Sequence, residues 1–279
     1  ASNMIRVILV QNKVSDSTED NVDRAMNMIR QAVIKEERTT KPILAILSEC
    51  FNSPYGVKFF NKYAELIPEG YTSKALSAVA KELGIYIIGG SYPERDYQNP
   101  KIIYNTCTVW GPNGELIATY RKIHVTLTES AVLTPGDKFT VINIGPARIG
   151  IGICYDIQFD ELSLIYRNAG CNLLVFPAIF CLTRGPLTWE LYQRSRANDT
   201  QTFVTMVSNA RDHANDYVAW GHTMLVDPWG QVVKSLKEEE DVIVTDIDFS
   251  VIDKVKEEVP INRQRRTDLY EVVAKVPIK

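Results

Sequence analysis

Short, almost wholly apolar runs alternate along this chain with longer stretches in which apolar residues recur at helical spacing. Ile5 to Val10, Ile43 to Leu47, Ile85 to Gly90, Arg148 to Cys154, Leu173 to Pro177 and Phe203 to Asn209 read as buried strands. Between the first two, Ser17 to Val33 carries Val22, Ala25, Met26, Met28, Ile29 and Ala32 on one stripe, with Ser15 or Ser17 as the N-terminal cap. Ser73 to Leu83 (closing on Gly84), Glu161 to Ala169 and Trp189 to Asp199 read as further helices. Two hairpins are predicted: Thr106 to Trp110 with Leu116 to Tyr120 across Gly111-Pro112-Asn113-Gly114, and Thr223 to Val226 with Val232 to Lys234. This alternation predicts an α/β fold with mixed sheets. No Pro/Gly/Ser-rich linker or charge run divides the chain, so residues 4–279 are expected to form one domain. Ala1-Ser2-Asn3 reads as a vector remnant before a natural Met4.

Composition narrows the function classes. With 45% hydrophobic residues over 279 positions, the chain can bury a large core. A net charge of −3 argues against nucleic acid, and the one basic patch, Arg263, Arg265 and Arg266, is too small to outweigh it. Five cysteines, an odd number, in a chain that opens without a signal-peptide pattern suit a reducing cytoplasm better than a disulfide framework. The three histidines are isolated, so no metal site is expected, and no cofactor motif is present. Apolar runs such as Asn172 to Pro177 are too short to span a membrane.

Candidate chemistry lies where strands run out. Ala147 to Cys154 ends on a thiol followed by Tyr155-Asp156, at the kind of strand end where open α/β folds bind ligands. Ile43 to Leu47 runs into Ser48 and Glu49, and Leu116-Ile117-Ala118 runs on to Thr119-Tyr120-Arg121-Lys122. Each has a bland reading as well: an unpaired cysteine is commonly inert packing, a carboxylate caps a helix or faces water, and a lysine guards a sheet edge. Together they form a coherent set. Glu49 would take the thiol proton, Lys122 would stabilise an oxyanion and Cys154 would carry an acyl group.

At these residues the chain resembles the nitrilase (carbon-nitrogen hydrolase) superfamily. Three blocks match in order: Leu47-Ser48-Glu49-Cys50-Phe51, Tyr120-Arg121-Lys122-Ile123-His124 and Gly152-Ile153-Cys154-Tyr155-Asp156. Within it the chain is most similar to the omega-amidase branch, through Cys50 to Gly56, Ile103 to Thr106, Gly185-Pro186 with Trp189 to Leu191, Tyr217 to His222, Asp227 to Gly230, and Gln264 to Arg266 with Asp268 to Tyr270. The resemblance implies a four-layer α-β-β-α sandwich, commonly a homodimer. It implies hydrolysis of the terminal amide of small dicarboxylate monoamides, such as 2-oxoglutaramate or 2-oxosuccinamate, through a thioester on Cys154. Glu49, Lys122 and Cys154 would be catalytic, with Glu129 as a second active-site glutamate, whose bland reading is a surface carboxylate. Tyr55, Tyr155, Phe180, Thr183 and Arg184 fall in segments it places near the substrate. Deaminated-glutathione amidase, N-carbamoyl hydrolase, or a weakly catalytic binding protein of the same fold stand as alternatives.

Three departures bear on mechanism. The block Cys-Tyr-Asp-x-Arg-Phe reads here Cys154-Tyr155-Asp156-Ile157-Gln158-Phe159, so a cation has become neutral. The segment usually written Phe-Asn-x-Thr-Thr-Gly-Pro reads Phe180-Cys181-Leu182-Thr183-Arg184-Gly185-Pro186, which brings in a new cation. The stretch from Lys122 to Glu129 is shorter than in relatives. Either it is truly shortened, opening the rim of the site, or the sequence is written without a mobile loop.

Overall fold

The computed structural model describes residues 2–279. In order, the strands are β1 (Met4–Gln11), β2 (Ile43–Ile46), β3 (Tyr86–Ile88), β4 (Tyr92–Arg95), β5 (Ile103–Trp110), β6 (Leu116–Arg121), β7 (Thr140–Ile144), β8 (Ala147–Ile151), β9 (Leu173–Pro177), β10 (Phe203–Val207), β11 (Met224–Val226), β12 (Val232–Ser235) and β13 (Asp241–Asp248). One sheet runs β13-β1-β2-β3-β5-β4, with β6 paired to β5, and the other runs β12-β11-β10-β9-β8-β7. The centre of each is parallel, β1-β2-β3 in one and β8-β9-β10 in the other.

The period-two alternation of β1 shows how the layers assemble. Ile5, Val7 and Leu9 join Leu44 and Ile46 of β2 in a core shared with Ile149, Ile151, Leu173 and Val175 of the facing sheet. Ile8 and Val10 point the other way, onto Val22, Ala25, Met26 and Ile29 of α1 (Thr18–Lys35). After the short α2 (Val57–Tyr63), α3 (Tyr71–Leu83) packs beside α1 through Leu76, Val79 and Ala80. On the far side of the second sheet lie α4 (Asp160–Asn168) and α5 (Gly185–Thr200). Helix, sheet, sheet and helix form the expected four-layer sandwich. Two further helices, α6 (Ser250–Glu258) and α7 (Ile261–Gln264), follow β13.

Most predicted elements stand within a few residues of where the pattern puts them. Ser17 caps α1 by accepting from the Asp20 N–H at 3.2 Å, and Gly84 closes α3 in the left-handed region, φ 64°. Helix α5 starts a full turn before the expected Trp189. Pro186 sits in its first turn, where no N–H is needed. The strand expected to end at Cys154 ends at Ile151, and Cys154 instead opens a 3-10 turn, Cys154–Gln158.

Candidate active site

Glu49 and Cys154 each lie three residues past the end of a parallel strand, β2 and β8, and Lys122 directly follows β6. Asn105 on β5 links two of them. Its carbonyl accepts from the Lys122 N–H at 2.8 Å, and its Nδ2 donates to Glu49 Oε2 at 2.9 Å. The close pass that seats Glu49 depends on Gly90, at φ 56°, where a Cβ would come within 2.1 Å of the Ser48 carbonyl oxygen.

The Lys122 ammonium sits between two carboxylates. Nζ donates to Glu49 Oε2 at 3.1 Å and to Glu129 at 2.9 Å (Oε1) and 3.2 Å (Oε2). All three residues are buried to within 1% exposure, so neither Glu49 nor Glu129 is a surface carboxylate and Lys122 is no edge guard. Glu129 is held from three further directions. Its Oε2 accepts from the Thr126 N–H at 2.8 Å, Thr126 Oγ1 accepts from the Glu129 N–H at 3.1 Å, and the Tyr55 hydroxyl donates to Oε1. Thr126 and Glu129 thereby form a reciprocal cap across the short segment after Lys122.

Cys154 takes a left-handed backbone conformation, φ 47°, and its thiol donates to the Ile179 carbonyl at 3.4 Å. Tyr217 donates to that same carbonyl at 3.3 Å and packs its ring on Tyr55, centroids 4.7 Å apart. A cleft of about 400 Å³ is walled by Tyr55 and Tyr217, together with Pro54, Phe59 and Asp212. Glu49, Lys122, Glu129 and Cys154 do not line this cleft, nor the larger ones between α1 and β13, between α4 and the C-terminal segment, beside α5 and beside α2.

The electrostatics follow from one ammonium facing two carboxylates out of water. Burial pushes the Glu49 carboxyl up; Lys122 opposes this, Glu129 reinforces it, and hydrogen bonding from Lys122 and Cys154 pulls it back, leaving it above its ordinary value. Burial also acts to raise Glu129, but the Lys122 charge and the bonds from Tyr55, Lys122 and Thr126 outweigh it and hold this carboxyl below the usual range. For Lys122, burial disfavours the ammonium, and the Glu49 and Glu129 carboxylates overcome it, so it stays charged well past the normal lysine range. Burial and the nearby Glu49 charge push the Cys154 thiol well up. Cys154 is therefore held as a neutral thiol beside a carboxylate able to take its proton.

Hydrogen bonds and charge thus gather Glu49, Lys122, Glu129, Cys154 and Tyr55 into one cluster. Phe180 lies one residue past Ile179, buried edge-on against Trp189 at 5.1 Å. Tyr155 is half-buried against Phe159, while Thr183 is exposed and bonded to Cys181 Sγ at 3.1 Å; neither has a hydrogen bond to the cluster. Arg184 is exposed and donates to Gln158 Oε1 at 3.2 Å, so the gained cation stands beside the position where one is lost. Sequence reasoning gave no role to Asn105 or Tyr217. Asn105, with its low strand propensity, inside the strand Ile103–Trp110 was the available signal; Tyr217 sits in an irregular segment and gave none. Among the described residues, no group of three His, Cys, Asp or Glu side chains is arranged to hold a metal ion.

The carbon-nitrogen hydrolase family model matches residues 6–257. Human omega-amidase NIT2 is 47% identical over 281 residues, spanning 98% of this chain and 99% of its own, and the Xenopus tropicalis omega-amidase NIT2 is 47% identical over 279 residues, spanning 97% and 98%. Nit3 of Saccharomyces cerevisiae, whose crystal structure is described as a member of branch 10 of the nitrilase superfamily, superposes with a TM-score of 0.88 at 37% identity, over 94% of this chain and 97% of its own. A buried Glu-Lys-Cys cluster at the strand ends of a two-sheet sandwich, with relatives this similar along nearly the whole chain, places the protein in the carbon-nitrogen hydrolase family.

Proposed function

We propose that this protein is a cysteine-dependent amidase of the omega-amidase type, acting on the terminal amide of small dicarboxylate monoamides such as 2-oxoglutaramate and 2-oxosuccinamate. The observation that carries the reading is the neutral Cys154 thiol beside a Glu49 carboxylate whose proton affinity is raised, with the Lys122 ammonium between Glu49 and Glu129. Cys154 Sγ attacks the amide carbon as its proton passes to Glu49. The developing oxyanion is stabilised by Lys122. Collapse breaks the C–N bond, and ammonia leaves with the proton returned from Glu49. Water, deprotonated by the same carboxylate, then cleaves the thioester, releasing the acid and restoring the thiol. Glu129 holds Lys122 in place and charged.

Arg184, beside Gln158 at the rim, is the proposed anchor for the distal carboxylate. Tyr55, Tyr155, Phe180 and Thr183 are proposed to shape the surrounding pocket. Residues 4–279 would act as one catalytic unit. A homodimer is proposed, supported by Leu187, Leu191 and Trp229 exposed at 70%, 57% and 38% on and beside α5. Five free thiols support a cytoplasmic setting, and no helix among the described residues is long and apolar enough to cross a membrane.

The test is intact-protein mass spectrometry after rapid mixing with 2-oxoglutaramate, 2-oxosuccinamate or propionamide. A transient acyl adduct mapping to Cys154 is expected with the two anionic amides, and none with Cys154→Ala. Turnover by the Ala variant above roughly a thousandth of wild type would remove the covalent mechanism.

A further inference from the structure

Two residues beyond the nucleophile lies a fully buried carboxylate with no lysine or arginine partner, Asp156. Four donors converge on its two oxygens. Oδ2 accepts from the Tyr120 hydroxyl at 2.5 Å and the Ile153 N–H at 2.9 Å. Oδ1 accepts from the His124 N–H at 2.9 Å and from His124 Nδ1 at 2.7 Å, in the tautomer that carries its hydrogen there. Tyr120 and His124 stand two residues before and two after Lys122, and Ile153 immediately precedes Cys154. The His124 ring is further fixed by stacking on Phe159, centroids 3.7 Å apart and 6° from parallel. From the opposite side Arg196 donates to the carbonyls of Ile157 and Gln158, at 2.8 and 3.0 Å. The turn bearing the nucleophile is therefore clamped at both ends.

We propose that Asp156 is a positioning residue that sets the reach between the Cys154 thiol and the Glu49–Lys122 pair. It touches neither substrate nor reacting atoms in the proposed mechanism and acts through the backbone on either side of them. Without it nothing else joins the Cys154 turn to the chain around Lys122 through a charged acceptor. Ile153 and Cys154 would then be free to relax out of the left-handed geometry that aims the thiol. The inference rests on the amidase reading for its turnover readout, and it has a second readout that does not.

Asp156→Asn keeps the volume but turns an NH₂ group toward two existing donors. The expected result is a kcat about a hundredfold lower, as for a reacting group displaced by about an ångström, with KM within about twofold of wild type. The rate of Cys154 alkylation by iodoacetamide, followed by peptide mass spectrometry, is expected to fall about tenfold in parallel, because it too depends on Glu49 lying within reach of the thiol. A variant that loses melting temperature alone, with kcat and Cys154 alkylation within about threefold of wild type, overturns the proposal. Should Asp156→Asn not fold, Tyr120→Phe removes a single donor at constant ring volume. A slower alkylation rate supports the proposal and an unchanged one overturns it. Rapid alkylation of wild-type Cys154 without turnover of any amide would sink the functional reading while leaving this positioning role to be decided by the alkylation arm.

Discussion

Two polar contacts of nearly equal length differ in what surrounds them: Lys122 to Glu49 at 3.1 Å and Arg184 to Gln158 at 3.2 Å. The first is sealed from water with a second carboxylate on its far side, and the second is open to solvent. Distance alone would rank them together. Burial separates them, because a charge removed from water depends wholly on its partners, whereas an exposed one falls back on solvent and is screened by salt. The buried cluster is thus suited to holding protonation states, while the exposed pair can exchange its partner for another at little cost.

Lys122→Met attacks the deep member. It leaves Glu49 and Glu129 buried together without a counter-ion, so unfolding free energy by urea titration is expected to fall by about 3–5 kcal/mol, with turnover lost. A folded, active Met variant would mean that the cluster is far wetter than its burial indicates.

Glu49→Gln separates chemistry from stability within the same cluster. It removes one of two carboxylates competing for one ammonium, so stability should change by no more than about 1 kcal/mol, while kcat drops about 10²- to 10⁴-fold because the amide cannot take the thiol proton. The wild-type pH profile sharpens the point. Since Glu49 must be ionised and its affinity for a proton is raised, the acid limb of kcat/KM should lie above the ordinary carboxylate range. The thiol is pushed up and Lys122 holds its proton, so no gain in rate should accompany rising pH through the ordinary thiol range. An acid limb at an unperturbed carboxylate value would assign the base elsewhere.

Arg184→Ala tests the shallow member. A charge-assisted contact is worth about 1.5–3 kcal/mol, and solvent screening at this open position reduces it. KM for an anionic monoamide should rise roughly tenfold, close to one 1.4 kcal/mol step, with propionamide little affected. Equal effects on both substrates would return Arg184 to being an ordinary surface residue.

How much of this was legible in the sequence varies with the physical signal. Strands buried on both faces, such as Leu173–Pro177, announce themselves as apolar runs, and Glu49 and Cys154 could be found at the ends of two such runs, whereas Lys122 was reached through a hairpin turn and the half-exposed Leu116–Arg121. Strand β13 could not: as a half-exposed outer strand it carries Asp241, Asp246 and Asp248, and Asp246 is there to pair with Arg6 and Lys41, at 2.9 and 3.0 Å. Helix α2, seven residues with only Phe60 buried, is too short to display a period. Within the site, the bland alternatives for Glu49, Lys122 and Glu129 could be set aside only once burial was known. The hydrogen bonds from Asn105 to Glu49, Tyr217 to Ile179 and Tyr120 to Asp156 join residues 36 to 56 positions apart, which no local pattern encodes.

The left-handed backbone at Cys154 recurs at Cys50, the residue right after Glu49, with φ of 47° and 48°. Side chains other than glycine, asparagine and aspartate rarely take this shape, and each instance costs about 1–3 kcal/mol. Glycine would relieve the strain at either place, but at position 50, in one cluster with Phe60, Ile103 and Leu133, it would also leave a gap in the core. Cysteine at these two places therefore exchanges backbone ease for what its side chain supplies: at position 154 the thiol that the proposed reaction uses, and at position 50 the filling of a buried apolar cluster.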